Sequence, residues 1–149
     1  MPYDVRNKIT FIGNQSDIEN LFQDIKGDEK IIDFNSLVPI PDSENENWYN
    51  WSVENWGTKC NAYEQSKENN SIIFETAWYS PTCIFIAIVN MIKEKEYDIQ
   101  FRALSFCCEL FVGLYLKYFS FIDSEINYKK FDLIVDNERD DIYGINIKF

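Results

Sequence analysis

Apolar positions in this chain change period several times, and each change marks an element. Lys8-Ile9-Thr10-Phe11-Ile12-Gly13-Asn14 is a short β-rich run ending in turn residues, and it predicts a first strand. Ile18, Leu21, Phe22 and Ile25 then fall at i, i+3, i+4 and i+7, the stripe of an amphipathic helix. Ser16 with Glu19 fits a capping box, and Gly27 fits a left-handed stop. The spacing therefore predicts a helix over Ser16–Lys26. Ile31 to Pro41 reads as extended, but Pro39 and Pro41 lack the amide hydrogen that a central strand needs. Asp42 to Asn47 holds three carboxylates and no base, the composition of a solvated loop.

The stretch from Trp48 to Tyr63 contains three of the four tryptophans. Trp48, Trp51 and Trp56 with Val53 suit a short helix or turn laid over a sheet, and Gly57 stops it. Large aromatic side chains supply much of the apolar burial in a small domain, so these rings are read as core. The competing reading makes them an aromatic site for a ligand or peptide. Asn61–Ser66 and Ser71–Tyr79 form a predicted hairpin with Lys67 to Asn70 as its turn. In its second strand Ile72, Phe74, Thr76 and Trp78 share one face, and Ile73, Glu75, Ala77 and Tyr79 share the other.

Ser80-Pro81-Thr82 reads as a helix start with Ser80 or Thr82 as the cap. Ile84, Phe85, Ile88, Met91 and Ile92 form its buried stripe, and Lys93 to Glu96 its solvated end. Ile99–Glu109 and Phe111–Ile122 read as strands, the latter with Gly113 at a bend or bulge. Lys129–Val135 and Tyr143–Phe149 alternate again, around an acidic turn from Asp136 to Asp141. The order strand, helix, strand, strand, helix, strand is that of a split βαβ unit. The predicted fold is therefore α+β and ferredoxin-like, an antiparallel sheet with two helices on one face. One domain fills residues 1–149, with a core at about 8–115 and extra C-terminal strands over about 116–149.

The composition narrows the partners. The 149 residues are 46% apolar and 17% aromatic, enough for a core and too much for disorder. The formal net charge of −11 argues against direct nucleic-acid binding and against anionic membranes, and it favours a protein partner with a basic surface. No signal peptide and no spanning segment are evident, so a cytoplasmic location is expected. Cys60, Cys83, Cys107 and Cys108 show no metal spacing and are read as reduced, mostly buried thiols.

Tyr49-Asn50-Trp51, Glu54-Asn55-Trp56-Gly57-Thr58-Lys59, then Phe74-Glu75-Thr76-Ala77-Trp78 and Pro81 resemble the YubB-like family of plasmid and phage proteins. The resemblance covers roughly Lys8 to Tyr115. Cys60 stands where the family pattern has tryptophan, and Tyr79 intervenes before Ser80-Pro81. The resemblance implies a ferredoxin-like fold and a mobile-element or bacterial origin. It carries no catalytic residue.

The chain has no histidine, which removes the commonest general base and metal ligand. No phosphate-cradling glycine motif occurs, and no cofactor is implied. Glu64 and Glu75 could face each other across the hairpin as a carboxylate pair, although solvated strand-face residues are the commoner case. Asp42, Glu44, Glu46 and the Asp136–Asp141 group lack the pattern of a calcium loop. Lys59 could stack on Trp56 or bind an anion, or simply guard a strand edge. Two functions from different classes follow. One is a small acidic interaction protein of a mobile element or its host, in sharper form an inhibitor that imitates the charge of nucleic acid. The other is a ligand-binding or enzymatic domain with a tryptophan-lined pocket at Trp51, Asn55, Trp56, Lys59 and Trp78.

Overall fold

The computed structural model describes residues 4–109, 113–133, 141–142 and 145–146, with side chains described for 4–106 and 116–130. The elements run β1 (Asp4–Gly13), α1 (Gln15–Ile25), α2 (Phe34–Leu37), a 3-10 turn (Asp42–Asn47), α3 (Trp48–Trp56), β2 (Tyr63–Glu68), β3 (Ser71–Ala77), α4 (Thr82–Glu94), β4 (Ile99–Glu109), β5 (Gly113–Ile122) and β6 (Glu125–Leu133). A separate short pair joins β7 (Asp141–Ile142) to β8 (Ile145–Asn146).

Six strands form one open sheet in the order β2-β3-β1-β4-β5-β6, with every neighbouring pair antiparallel. The chain is thus α+β. Alternation along β1 sends Asn7, Ile9 and Phe11 inward. Ile72 and Phe74 of β3, Phe101 and Ala103 of β4, and Phe119 and Phe121 of β5 meet them on the same face. Ile18, Leu21, Phe22 and Ile25 of α1 and Ile84, Phe85, Ile88, Val89 and Ile92 of α4 close this core. Phe34 of α2 and Trp56 of α3 belong to it too, so the helical layer has more members than the predicted pair.

Local chemistry moves several predicted boundaries. The N-cap of α1 is Asn14, whose side chain accepts from the Asp17 amide at 3.0 Å. Ser16 and Glu19 therefore lie inside the helix and form no capping box. Gly27 has no left-handed backbone. Its absent Cβ leaves room for Asp33, whose carboxylate would collide with an added methyl. Ile31–Pro41 is interrupted by α2, because Asp33 caps the Asn35 amide at 2.9 Å and starts a turn of helix. The acidic stretch Asp42–Asn47 is wound into a 3-10 turn and is not a plain loop.

The β2–β3 turn is only Asn69-Asn70, since Lys67 and Glu68 already pair with Ile72 and Ser71. α4 begins after Pro81 without a side-chain cap, and neither Ser80 nor Thr82 fills that role. Val89 takes the fully buried place predicted for Met91, which is half-buried. β6 starts at Glu125, four residues before the predicted Lys129. Asp123 and Ser124 both have positive φ, the geometry of a two-residue hairpin whose twist matches its strands. Gly113 pairs with Glu109 in continuous register and makes no bulge. Tyr143, Phe149 and most of the Asp136–Asp141 turn lie outside the described residues.

Candidate functional site

The candidate residues divide into a buried block and a surface pair. Trp56 is 4% exposed, and its Nε1 donates to the Val38 carbonyl at 2.9 Å. Its ring meets Phe34 edge-on at 5.7 Å and Trp51 at 5.6 Å. Phe34 passes the contact to Phe74 on β3 at 6.0 Å. Asn55 donates to the Trp51 carbonyl at 2.9 Å, a bond within α3 itself. Gly57 ends the helix, as the sequence predicts, and does so in the left-handed conformation at φ +83. Trp51 and Trp56 thus pin the helical layer to the sheet through Phe34, while Asn55 bonds only within its own helix.

Lys59 and Trp78 form the surface pair, with the Lys59 Nζ 5.8 Å from the ring centroid of Trp78. Lys59 does not stack on Trp56 and is not part of β2. Trp78 fails to share the core face of Ile72, Phe74 and Thr76 because β3 ends at Ala77 and Trp78 turns to φ +71. Tyr79 donates back to the Ala77 carbonyl at 2.9 Å, and the Thr76 hydroxyl donates to the Tyr79 carbonyl at 2.8 Å. This reversal leaves Trp78 exposed on the rim.

Beneath it runs a chain of buried polar groups. Asn7 Nδ2 donates to Thr76 Oγ1 and to the Val5 carbonyl, each at 3.1 Å. Asn7 Oδ1 accepts from Ser105 at 2.7 Å, and the Ser105 and Ser80 hydroxyls share a bond of 2.9 Å. Thr58 donates to the Ala77 carbonyl at 2.8 Å. The network joins three strands to the β3–α4 loop. It contains no titratable group, so its part is structural.

The described clefts lie elsewhere. One of about 330 Å³ sits by Lys93, Tyr97 and Phe121, one of about 400 Å³ by Phe22, Gly27 and Lys67, and one of about 380 Å³ over Tyr118, Asn127 and Lys129. None of them is lined by Trp51, Asn55, Trp56, Lys59 or Trp78. Cys60 and Cys83 are free and only half-buried, and burial pushes the Cys83 thiol up, away from a reactive thiolate.

Across the β2–β3 hairpin, Tyr63 and not Glu64 stands opposite Glu75. Glu64, at φ +48 beside a bulge, still lies close enough to act on Glu75. Burial pushes the Glu75 carboxyl up, Asp4 and Glu64 push it further, and Arg6 opposes them. The Tyr63 hydroxyl, itself pushed up by burial first, donates to Asp4. Among the described residues no group of three or more acidic or cysteine side chains is arranged to hold a metal.

A raised carboxyl pKa means that the folded state holds the proton more tightly than the unfolded one. Its contribution is complete below the unfolded pKa and is lost as pH rises through the folded value. Glu75→Gln is therefore expected to melt above the wild type near neutral pH, with the gain shrinking on acidification through the carboxylate range. Melting curves across that range check it, and a gain independent of pH would contradict the assignment.

The surface distributes charge unevenly. Residues 14–58 hold ten carboxylates against two lysines, so minus eight of the chain's minus eleven lies there. Asp24 is neutralised in part by Lys95 at 2.9 Å and accepts from Tyr97 at 2.7 Å. Asp42, Glu44 and Glu46 sit in the run 41–50, where every residue except the half-buried Glu44 is exposed. That run ends on Trp48 and Tyr49, each 48% exposed, their rings edge-to-face at 6.0 Å. Trp48, expected in the core with Trp51 and Trp56, is therefore on the surface. The polar neighbours Asn45, Asn47 and Asn50 were the available signal that this end of α3 stands in water.

No protein-family model matches the chain, and no curated protein or solved structure matches it either.

Proposed function

We propose that this chain is a non-catalytic docking protein whose acidic helical layer binds a protein with a basic surface. The observation that carries the proposal is the exposed run 41–50, where carboxylates flank an exposed tryptophan–tyrosine pair. Interfaces draw much of their energy from a few aromatic anchors ringed by polar groups. Carboxylates concentrated on one side steer and orient a cationic partner. In this reading they occupy a basic surface much as phosphates would. The ligand-pocket alternative has less support, because the described clefts avoid its residues.

The strand order β4-β1-β3-β2, with helices between β1 and β2 and between β3 and β4, supports a ferredoxin-like reading of residues 4–109. The tryptophan motifs support kinship with the YubB-like proteins and a mobile-element setting. Among the described residues no helix is long and apolar enough to cross a membrane.

Affinity capture with three baits tests the function: wild type, Trp48→Ala with Tyr49→Ala, and Asp42→Lys with Glu46→Lys. A basic partner held by the wild type at low salt is expected to be lost from both variants and to elute as salt screens the charges. Retention by both variants, or at high salt, would overturn the proposal.

A further inference from the structure

Total charge conceals where the cations are. Asn7, Ile9 and Phe11 face the helices, so Arg6, Lys8 and Thr10 take the opposite face of β1. Register carries that face across the sheet. Lys8, Leu104, Tyr118 and Lys129 lie side by side in one row. Thr10, Arg102, Ser120 and Asn127 form the next row, and Arg6, Phe106 and Leu116 the row on the other side. These positions hold four cations and no carboxylate, in a chain of net charge −11. Asp4 shares this face of β1 beside Arg6, Glu75 flanks Arg6 from β3, and Glu68 and Glu125 lie at the margins.

The acidic layer does not cancel this patch. A helix is roughly 10 Å across, and the Debye length at physiological salt is about 8 Å. Across that thickness salt screens the carboxylates of the helical layer from this face, where Lys8, Arg102 and Lys129 stand away from Asp123 and Glu125. Strands about 4.8 Å apart place Lys8 and Lys129 roughly 14 Å from each other across the face. The cleft of about 380 Å³ opens on this side, lined by Tyr118, Ser120, Asn127 and Lys129, with Asp123 and Glu125 closing its far end. Arg102 lies across the pair from Ser120 and is exposed.

We propose that this sheet face binds single-stranded nucleic acid. A base stacks on Tyr118 in the cleft beside the amide of Asn127, and the phosphates run over Lys129, Arg102 and Lys8, away from Asp123 and Glu125. Rings interleaved with cations suit a strand whose bases are unstacked and available. A duplex hides those faces, and an acidic protein has no use for the ring. This inference is independent of the docking layer, which lies on the other side of the sheet.

Fluorescence anisotropy with the full chain and labelled oligothymidine, oligouridine and a duplex of equal length tests it. Single strands are expected to bind in preference to duplex. With three phosphate contacts, affinity falls about twentyfold between about 50 and 200 mM salt. Tyr118→Ala costs about tenfold, in line with the loss of one stacked base. Arg102→Glu with Lys129→Glu abolishes binding while the melting temperature holds, since both side chains are exposed. Asp42→Lys with Glu46→Lys leaves it undiminished, which separates this face from the acidic layer. Absence of binding at low salt, preference for duplex, or indifference to the Arg102 and Lys129 changes would overturn the proposal. Self-association abolished by Arg102→Glu, with no oligonucleotide bound, would likewise overturn it and assign the face to protein.

Discussion

Replacing Trp56 with alanine is expected to lower the free energy of unfolding by about 4 kcal/mol, in the range of large aromatic truncations in cores. The ring is the joint between α3, the segment after α2, and the sheet. It lies against Phe34 and Trp51, and its indole hydrogen satisfies the Val38 carbonyl. Alanine removes the packing, opens a cavity and leaves that carbonyl without its donor. Trp56→Phe keeps most of the ring and loses only the donor, so about 1–2 kcal/mol is expected. Trp51→Ala is expected to cost less than Trp56→Ala, because Trp51 is half-buried. Denaturant titration of the three variants checks the ranking. Equal losses for Trp51→Ala and Trp56→Ala would show that Trp56 is not the anchor.

Asn7→Ala is expected to cost about 3 kcal/mol, since a buried polar group that loses its partners bears the full desolvation penalty. Asn7 is fully buried and sits at the centre of β1, opposite Phe74 on one side and Ser105 on the other. Its amide donates to Thr76 and Val5 and accepts from Ser105. Its removal unbinds groups on β3 and β4 together. Ser105→Ala is expected to lose about half as much, because fewer groups are stranded. The double variant should lose less than the two single losses added, since both act through one bond. Strict additivity would place the two residues in separate networks.

The sequence made the helices legible wherever apolar spacing was long and regular. Ile18 to Ile25 and Ile84 to Ile92 define α1 and α4 without ambiguity. β4 was legible to the residue, because β-rich composition runs unbroken from Ile99 to Glu109. Ends were harder. Asn14 and Ser16 both cap well, and the choice between them depends on where β1 releases the chain, a tertiary matter. Trp78 was misplaced because alternation was extended two residues past Ala77, where the buried network turns the backbone. The Asp123-Ser124 turn went unread because it lacks glycine or asparagine, so the start of β6 was missed.

The candidate site was read less well than the fold, for one physical reason. Aromatic clustering in a sequence does not say which rings face inward. Trp56 and Trp48 lie eight residues apart on the same helix, one in the core and one in water. Charge behaved the same way. The sum over the chain is strongly negative, yet pairing register alone gathers Lys8, Arg102 and Lys129 on one surface.

That separation has a dynamic consequence. With Asp42, Glu44 and Glu46 in the helical layer and Lys8, Arg102 and Lys129 on the far side of the sheet, charge among these described residues is separated across the sheet, and such a separation is a local electric dipole. A charged neighbour exerts a torque on it before the two surfaces touch. The approach is therefore rotationally guided, and fewer collisions occur in an unproductive attitude.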